Sequence, residues 1–291
     1  MKRIVAVNTN CYHGYTTREA IDGIRDAGFR YVELTATKGW TEHVFPTMRF
    51  VDLYRVQDRL REAKLVPFAM SGHTNLMDTE RIGDFLDNMR LAAFFGCDYI
   101  VSSIGEAHLE DQAVAGDEEV AAHVRNLLPR LEACGLTLAL ENHGEHGTGR
   151  RLKSIVDLVG SPRVRINYDT ANAVFYGDFD RGGLLDDITA CVSEIGFMHV
   201  KDKAGARNEW NFPALGAGYI DFPAIFGILE AAGNNCPLSI EIEFGPGGPQ
   251  NLAEVNEAVR ASKKYLAKIG IEGPTASAGE RACKKRGPSA D

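Results

Sequence analysis

The sequence predicts a single-domain α/β protein of the (β/α)8, or TIM-barrel, class. Three observations predict it. Strand-like runs alternate with amphipathic runs eight times between residues 3 and 269. Glycines recur where a helical run ends and the next strand begins. Four segments in the second half are apolar until their last residues and then turn ionisable, as strands do when their carboxyl ends line a barrel mouth.

The elements follow in order. The apolar run Ile4-Val-Ala-Val7 sets a first strand over residues 3–8; it is too short for a signal peptide and no small-residue cleavage site follows it. A helix is expected over 17–27, a second strand over 31–35 and a helix over 47–63. The third pair covers 65–71 and 78–95, and the fourth 98–103 and 117–133. The fifth strand, 136–142, precedes a shorter helix, 152–159; the sixth, 164–169, precedes a helix over 184–191. The seventh pair is 195–201 with 222–232, and the eighth 238–244 with 252–269. Strict alternation argues a parallel sheet with right-handed crossovers, and eight units favour closure into a barrel. Gly28, Gly96, Gly135 and Gly233 stand where helix C-caps belong. The domain is therefore set at 1–269. Residues 270–291, rich in Gly, Pro, Ser, Ala and Lys without apolar periodicity, are expected to form a disordered tail.

Composition agrees. The chain has 291 residues, and barrels of this class run at about 250. No apolar run approaches the roughly 18 residues needed to span a bilayer. Six cysteines are scattered singly with no Cys-x-x-Cys pair, so neither a disulfide framework nor a cysteine zinc site is expected, and a reducing cytoplasm is the simplest compartment. A formal net charge of -8 argues against sequence-independent nucleic-acid binding. No membrane or nucleic-acid partner is expected.

The chemistry lies in Thr137-Leu-Ala-Leu-Glu141-Asn-His143, Val164-Arg-Ile-Asn-Tyr-Asp169, Ile195-Gly-Phe-Met-His199-Val-Lys201 and Leu238-Ser-Ile-Glu241-Ile-Glu243. Side chains alternate sides along a strand. Thr137, Ala139, Glu141 and His143 share one side, opposite Leu136, Leu138 and Leu140. Arg165, Asn167 and Asp169 share a side, as do His199 and Lys201, and Ser239, Glu241 and Glu243. Every ionisable end can thus face the barrel axis. A lone strand-end carboxylate is usually a rim residue. Several on adjacent strands with matching parity would repel when buried unless a cation or protons neutralised them. Glu, Asp, His and Glu form an oxygen-rich set with one imidazole, suited to one divalent ion: Mn²⁺ first, with Co²⁺, Mg²⁺ and Zn²⁺ as alternatives.

These motifs, with Tyr168-Asp169-Thr170-Ala-Asn172, His199-Val-Lys201-Asp202 and the loop Asn211-Phe-Pro-Ala-Leu-Gly216-Ala-Gly218-Tyr-Ile-Asp221, resemble the xylose isomerase-like superfamily of sugar isomerases and epimerases. That superfamily includes tagatose and psicose 3-epimerases and hydroxypyruvate isomerases. The likeness spans residues 1–269. It implies Glu141, Asp169, His199 and Glu241 as metal ligands, with Glu243 competing with Glu241 by parity. It also implies that Glu141 and Glu241 carry protons to and from a carbohydrate substrate, next to a carbonyl, through an enediolate. Many relatives carry His three residues after the Asp where this chain has Asn172.

His143 is a third catalytic candidate, as a base in its own right; the bland reading makes it a loop histidine bonded to a carboxylate. His73, Lys201, Asn172 and Arg207 are the substrate-binding candidates. His13, His43, Trp40 and Trp210 fall in loops that would line the mouth.

The expected activity is isomerisation or epimerisation of a ketose or keto-sugar. The rival is a lyase that cleaves 3-keto C- or O-glycosides by β-elimination with His143 as base. A DNA-repair endonuclease on this barrel would need more histidine ligands. A non-catalytic sugar-binding subunit would be expected to have lost a carboxylate. Relatives are often oligomers, so a homo-oligomer or a partner subunit fits the same resemblance.

Overall fold

A computed structural model of the chain describes residues 3–105, 115–177 and 181–273. The strands are β1 (Val5–Asn8), β2 (Tyr31–Thr37), β3 (Thr41–Glu42), β4 (Val66–Ser71), β5 (Tyr99–Ser102), β6 (Thr137–Glu141), β7 (Val164–Asp169), β8 (Ile195–Val200) and β9 (Leu238–Ile240). All but β3 pair in parallel with their neighbours in chain order, and β9 returns to β1 to close the barrel. The short β3 is an antiparallel addition to β2. Around the sheet run α1 (Thr17–Asp26), α2 (Phe50–Glu62), α3 (Ile82–Phe95), α4 (Asp117–Cys134), α5 (Gly149–Val159), α6 (Thr170–Tyr176), α7 (Arg181–Cys191), α8 (Phe222–Ala231) and α9 (Leu252–Lys268). The single-domain (β/α)8 barrel expected from the sequence is the observed fold. No helix among the described residues is long and apolar enough to cross a membrane.

Local chemistry explains where the helices begin and end. Thr16 starts α1 with a reciprocal capping box to Glu19. Thr148 caps α5. Gly28, Gly96, Gly135 and Gly233 all take left-handed φ between 66° and 78°, as expected where a helix must stop and turn into a strand.

Side-chain parity builds two cores. Outward residues such as Leu138, Leu140, Ile166 and Met198 are fully buried against the helices. Inward residues Phe68, Ala69, Val101, Ala139 and Phe197 form a separate cluster that fills the barrel floor. Phe197 stacks on Tyr99 at 5.4 Å and approaches Phe68 at 6.3 Å. This apolar plug leaves room for polar side chains only above it, at the carboxyl ends of the strands.

Three features depart from the expected elements. The eighth barrel strand stops at Ile240 instead of continuing to Phe244. Beyond it the chain leaves the sheet and Phe244, at φ 60°, pairs antiparallel with Phe212. A short helix, α6, follows Asp169 directly. The first residues assigned above to the tail are tied to the barrel: Ile271 is buried and the Glu272 carbonyl accepts from the Arg3 amide at 3.3 Å. The rest of the expected tail, 274–291, lies outside the described residues.

Candidate metal centre and active site

Four strand ends meet above the aromatic floor. Glu141 closes β6, Asp169 closes β7, His199 lies in β8 and Glu241 follows β9. One donor atom from each lies within 4.8 Å of those of the other three, and all four residues are buried. His199 Nδ1 is 2.6 Å from Glu141 Oε1, 3.4 Å from Glu241 Oε2 and 3.8 Å from Asp169 Oδ2. The ladder pairs Asp169 directly with His199, so two of the four are adjacent by register. Glu243 stands outside the cluster. It pairs instead with Lys201 Nζ at 2.5 Å, because the chain has already left the sheet at Ile240.

A polar frame fixes each member. Asp169 Oδ1 accepts from the amides of Ala171 and Asn172 at 2.9 and 2.7 Å, capping α6 and aiming the other oxygen into the cluster. The Asn142 side chain brackets the Asp169 peptide, donating to its carbonyl at 2.9 Å and accepting from its amide at 2.7 Å. Asn167 donates to Glu141 at 3.1 Å. Asn8 and Asn10 donate to Glu241 at 3.2 and 3.1 Å. Glu33, fully buried on β2, holds His199 Nε2 at 3.0 and 3.1 Å, which leaves Nδ1 turned toward the cluster.

The electrostatics are those of a site short of positive charge. Burial, reinforced by Glu141 and Glu241 and opposed by Lys201, pushes the Asp169 carboxyl well above the usual range. For Glu241 burial acts upward, but Lys201 and His199 outweigh it and hold the group well below its ordinary value. Burial depresses His199, yet Glu33, Glu241 and Glu141 together keep its pKa well above that of free histidine. Asp169 Oδ2 is buried and makes no hydrogen bond, and the buried His199 Nδ1, although 2.6 Å from Glu141 Oε1, meets no oxygen in hydrogen-bond geometry. Two orphaned donors that converge with two more carboxylates, in an oxygen-rich set with one imidazole, fit a divalent cation.

The cluster opens into a cavity of about 270 Å³. Glu141 and Glu241 line it, whereas Asp169 and His199 do not. His73, His143, Asn172 and Lys201, all candidates from the sequence, line it as well. His73 Nε2 lies 3.6 Å from Glu141. His143 shares a 3.2 Å hydrogen bond with the Tyr176 hydroxyl. Lys201 Nζ reaches Glu241 at 3.4 Å and Asn172 Oδ1 at 3.5 Å, and lies 4.6 Å above the Phe212 ring. Arg207 is exposed, donates to the Gly177 carbonyl and is not among the lining residues. His43 is buried on the Tyr15 carbonyl, away from the cavity. Trp40 and Trp210 both line it. The loop that carries Trp210 is folded around Asp202, whose carboxylate accepts from the amides of Gly216, Gly218 and Ile220 at 2.8, 2.9 and 3.1 Å. Any side chain at Gly218 would run into that carboxylate.

Sequence reasoning missed Glu33, Asn8 and Asn10. Glu33 carried a usable signal: it is a lone carboxylate between Val32 and Leu34, with inward parity.

The sequence model of the xylose isomerase-like TIM barrel family matches residues 21–269. In sequence alone, no match to a curated protein reaches significance. Solved structures share the whole architecture. A xylose isomerase domain protein from Planctomyces limnophilus aligns with TM-score 0.73 at 18% identity over 92% of this chain and 98% of its own. A D-psicose 3-epimerase, solved in the presence of D-fructose, gives 0.73 at 14% over 92% and 99%. The IolI protein, solved with a zinc atom, gives 0.72 at 18% over 92% and 98%.

Proposed function

Because the chain belongs to the xylose isomerase-like TIM barrel family, we propose that it is a divalent-metal-dependent isomerase or epimerase of a ketose or keto-sugar derivative. The division of the cluster carries this reading: Glu141 and Glu241 border the cavity, while Asp169 and His199 are sealed from it. Glu141, Asp169, His199 and Glu241 would hold the cation, with manganese the expected ion and zinc in the IolI structure in support of a divalent site. When bound, the ion supplies charge stabilisation for an oxyanion beside the carbon that loses its proton.

The residues of the chain do the rest. Glu141 and Glu241 enter the cavity from β6 and from the end of β9, with two strands between them. One removes a proton next to the carbonyl and the other returns one from the opposite side, work that contributes typically about 10²–10⁴-fold. Lys201 and His73 donate to substrate oxygens, and Asn172 orients Lys201.

A second reading is favoured by His143 and Tyr176, a bonded pair on the cavity wall. With His143 as base and a leaving group β to the abstracted proton, the same site would act as a lyase on 3-keto C- or O-glycosides. Metal analysis followed by incubation with ketoses and 3-keto-glycosides in D₂O tests both. Deuterium beside the carbonyl without fragmentation is expected for the first reading, and release of the leaving group for the second. Protein that retains no metal and exchanges no deuterium into any of these compounds would defeat both.

A further inference from the structure

The cavity does not end at the metal centre. A second cavity of about 300 Å³ adjoins it, and the two share Asn10, Trp40, Trp210 and Glu243. Beyond this join the second is walled by Cys11, His13, Phe244 and the glycine- and proline-rich stretch 245–249, so among the described residues no permanently charged side chain lines it past Glu243.

Trp40 stands at the join and is 50% exposed. An exposed tryptophan with no partner would sample several rotamers. This one is fixed. His13 stacks on its ring at 4.2 Å with 12° between planes. Its indole N–H donates to Asn10 Oδ1 at 3.0 Å. Asn10 is itself locked: Oδ1 also accepts from the Thr41 hydroxyl at 2.8 Å, while Nδ2 donates to Glu241 and Glu243 at 3.1 and 3.2 Å. Thr41 is in turn 2.7 Å from His13 Nδ1, which closes a ring of contacts around the indole. An ordered, half-exposed aromatic face between two cavities is built to be covered by a flat apolar face.

We propose that Trp40, backed by His13 and held by Asn10, is a ring-stacking subsite, and that the substrate carries a second, uncharged ring beyond the sugar that meets the metal centre. This rests on the cavity being the substrate site proposed above, but its readout is binding and not turnover. The second ring is an aromatic group or another sugar, since both present an apolar face.

Trp40 and Trp210 are the only tryptophans in the chain, so a Trp210→Phe variant reports on Trp40 alone. The full chain, loaded with Mg²⁺, is titrated by calorimetry with methyl β-D-glucopyranoside, phenyl β-D-glucopyranoside and cellobiose, and the Trp210→Phe variant by fluorescence with the same probes. The phenyl glycoside, cellobiose or both should bind about tenfold tighter than the methyl glycoside and change Trp40 emission saturably. Trp40→Ala should abolish that preference with Mg²⁺ affinity unchanged, and Trp40→Phe should keep most of it. Equal affinity for all three probes, or a preference that survives in Trp40→Ala, would overturn the subsite. Loss of Mg²⁺ binding in the parent protein would instead strike the reading of the metal centre.

Discussion

Glu33 lines neither of the two cavities described above, yet it should govern how tightly the metal centre binds. Its two oxygens lie 3.0 and 3.1 Å from His199 Nε2, and both residues are fully buried. Glu33→Gln keeps the volume and one acceptor but removes the charge. A hydrogen bond to a charged group contributes about 1.5–3 kcal/mol against about 1 kcal/mol for a neutral one. The imidazole also becomes a poorer donor of its Nδ1 lone pair. Together these predict a loss of about 10–100-fold in metal affinity, or about 1.4–2.7 kcal/mol. The assay is competition with a chromophoric chelator for Mn²⁺ or Zn²⁺. An independent check is the metal-induced rise in melting temperature, which should shrink by about 2–4 °C for each kcal/mol lost. A dissociation constant that stays within threefold of the parent's would show that Glu33 does not support His199 as a ligand.

Three other outcomes are expected. Glu141→Gln should abolish metal retention and turnover together, whereas Glu241→Gln should slow deuterium exchange into substrate by about 10²–10⁴-fold; full exchange in either variant would remove that residue from the mechanism. Lys201→Met leaves the buried Glu241 and the partly buried Glu243 without the ammonium that pairs them and should cost the metal-free protein about 3 kcal/mol in denaturant melts. Adding Glu243→Gln should recover much of that loss, and no recovery would contradict the pairing. His146 is buried, and burial together with the Arg151 charge pulls its pKa down to about 4. The unfolded chain takes up this proton near pH 6.5, before the folded one does, so stability is complete above about pH 6.5 and falls as pH drops toward 4. His146→Gln should remove roughly 2 kcal/mol of that acid limb once solvent screening is allowed for; parallel acid limbs in parent and variant would rule the group out.

What could be read from sequence follows from which interactions are local. Strand parity is local, and it alone puts Glu141, Asp169, His199 and Glu241 on one side of their strands. Helix ends are local too, and the four glycines mark them. The end of β9 was not legible, because it depends on Phe244 pairing with Phe212, 32 residues away in the chain. That same departure separates Glu243 from Glu241, which parity alone could not do. Helix α6 spans only Thr170–Tyr176, about two turns, which is too short for a 3.6-residue period to stand out. Asn8 and Asn10 carry no charge and attract no attention as ligands, although their amides orient Glu241. Arg207, a substrate-binding candidate for its place in a mouth loop, is exposed and donates to the Gly177 carbonyl, a contact between distant loops that sequence does not reveal.

The cap on α6 has a consequence for ion choice. One oxygen of Asp169 is committed to two backbone amides, so this carboxylate can offer an ion a single bond and cannot chelate it with both oxygens. Calcium seeks six to eight oxygens at about 2.3–2.6 Å and relies on bidentate carboxylates to find them. A pocket that rations one of its acids in this way starves large, ligand-hungry ions and suits compact ones content with few protein donors. Millimolar calcium should therefore leave the melting temperature where the metal-free protein has it.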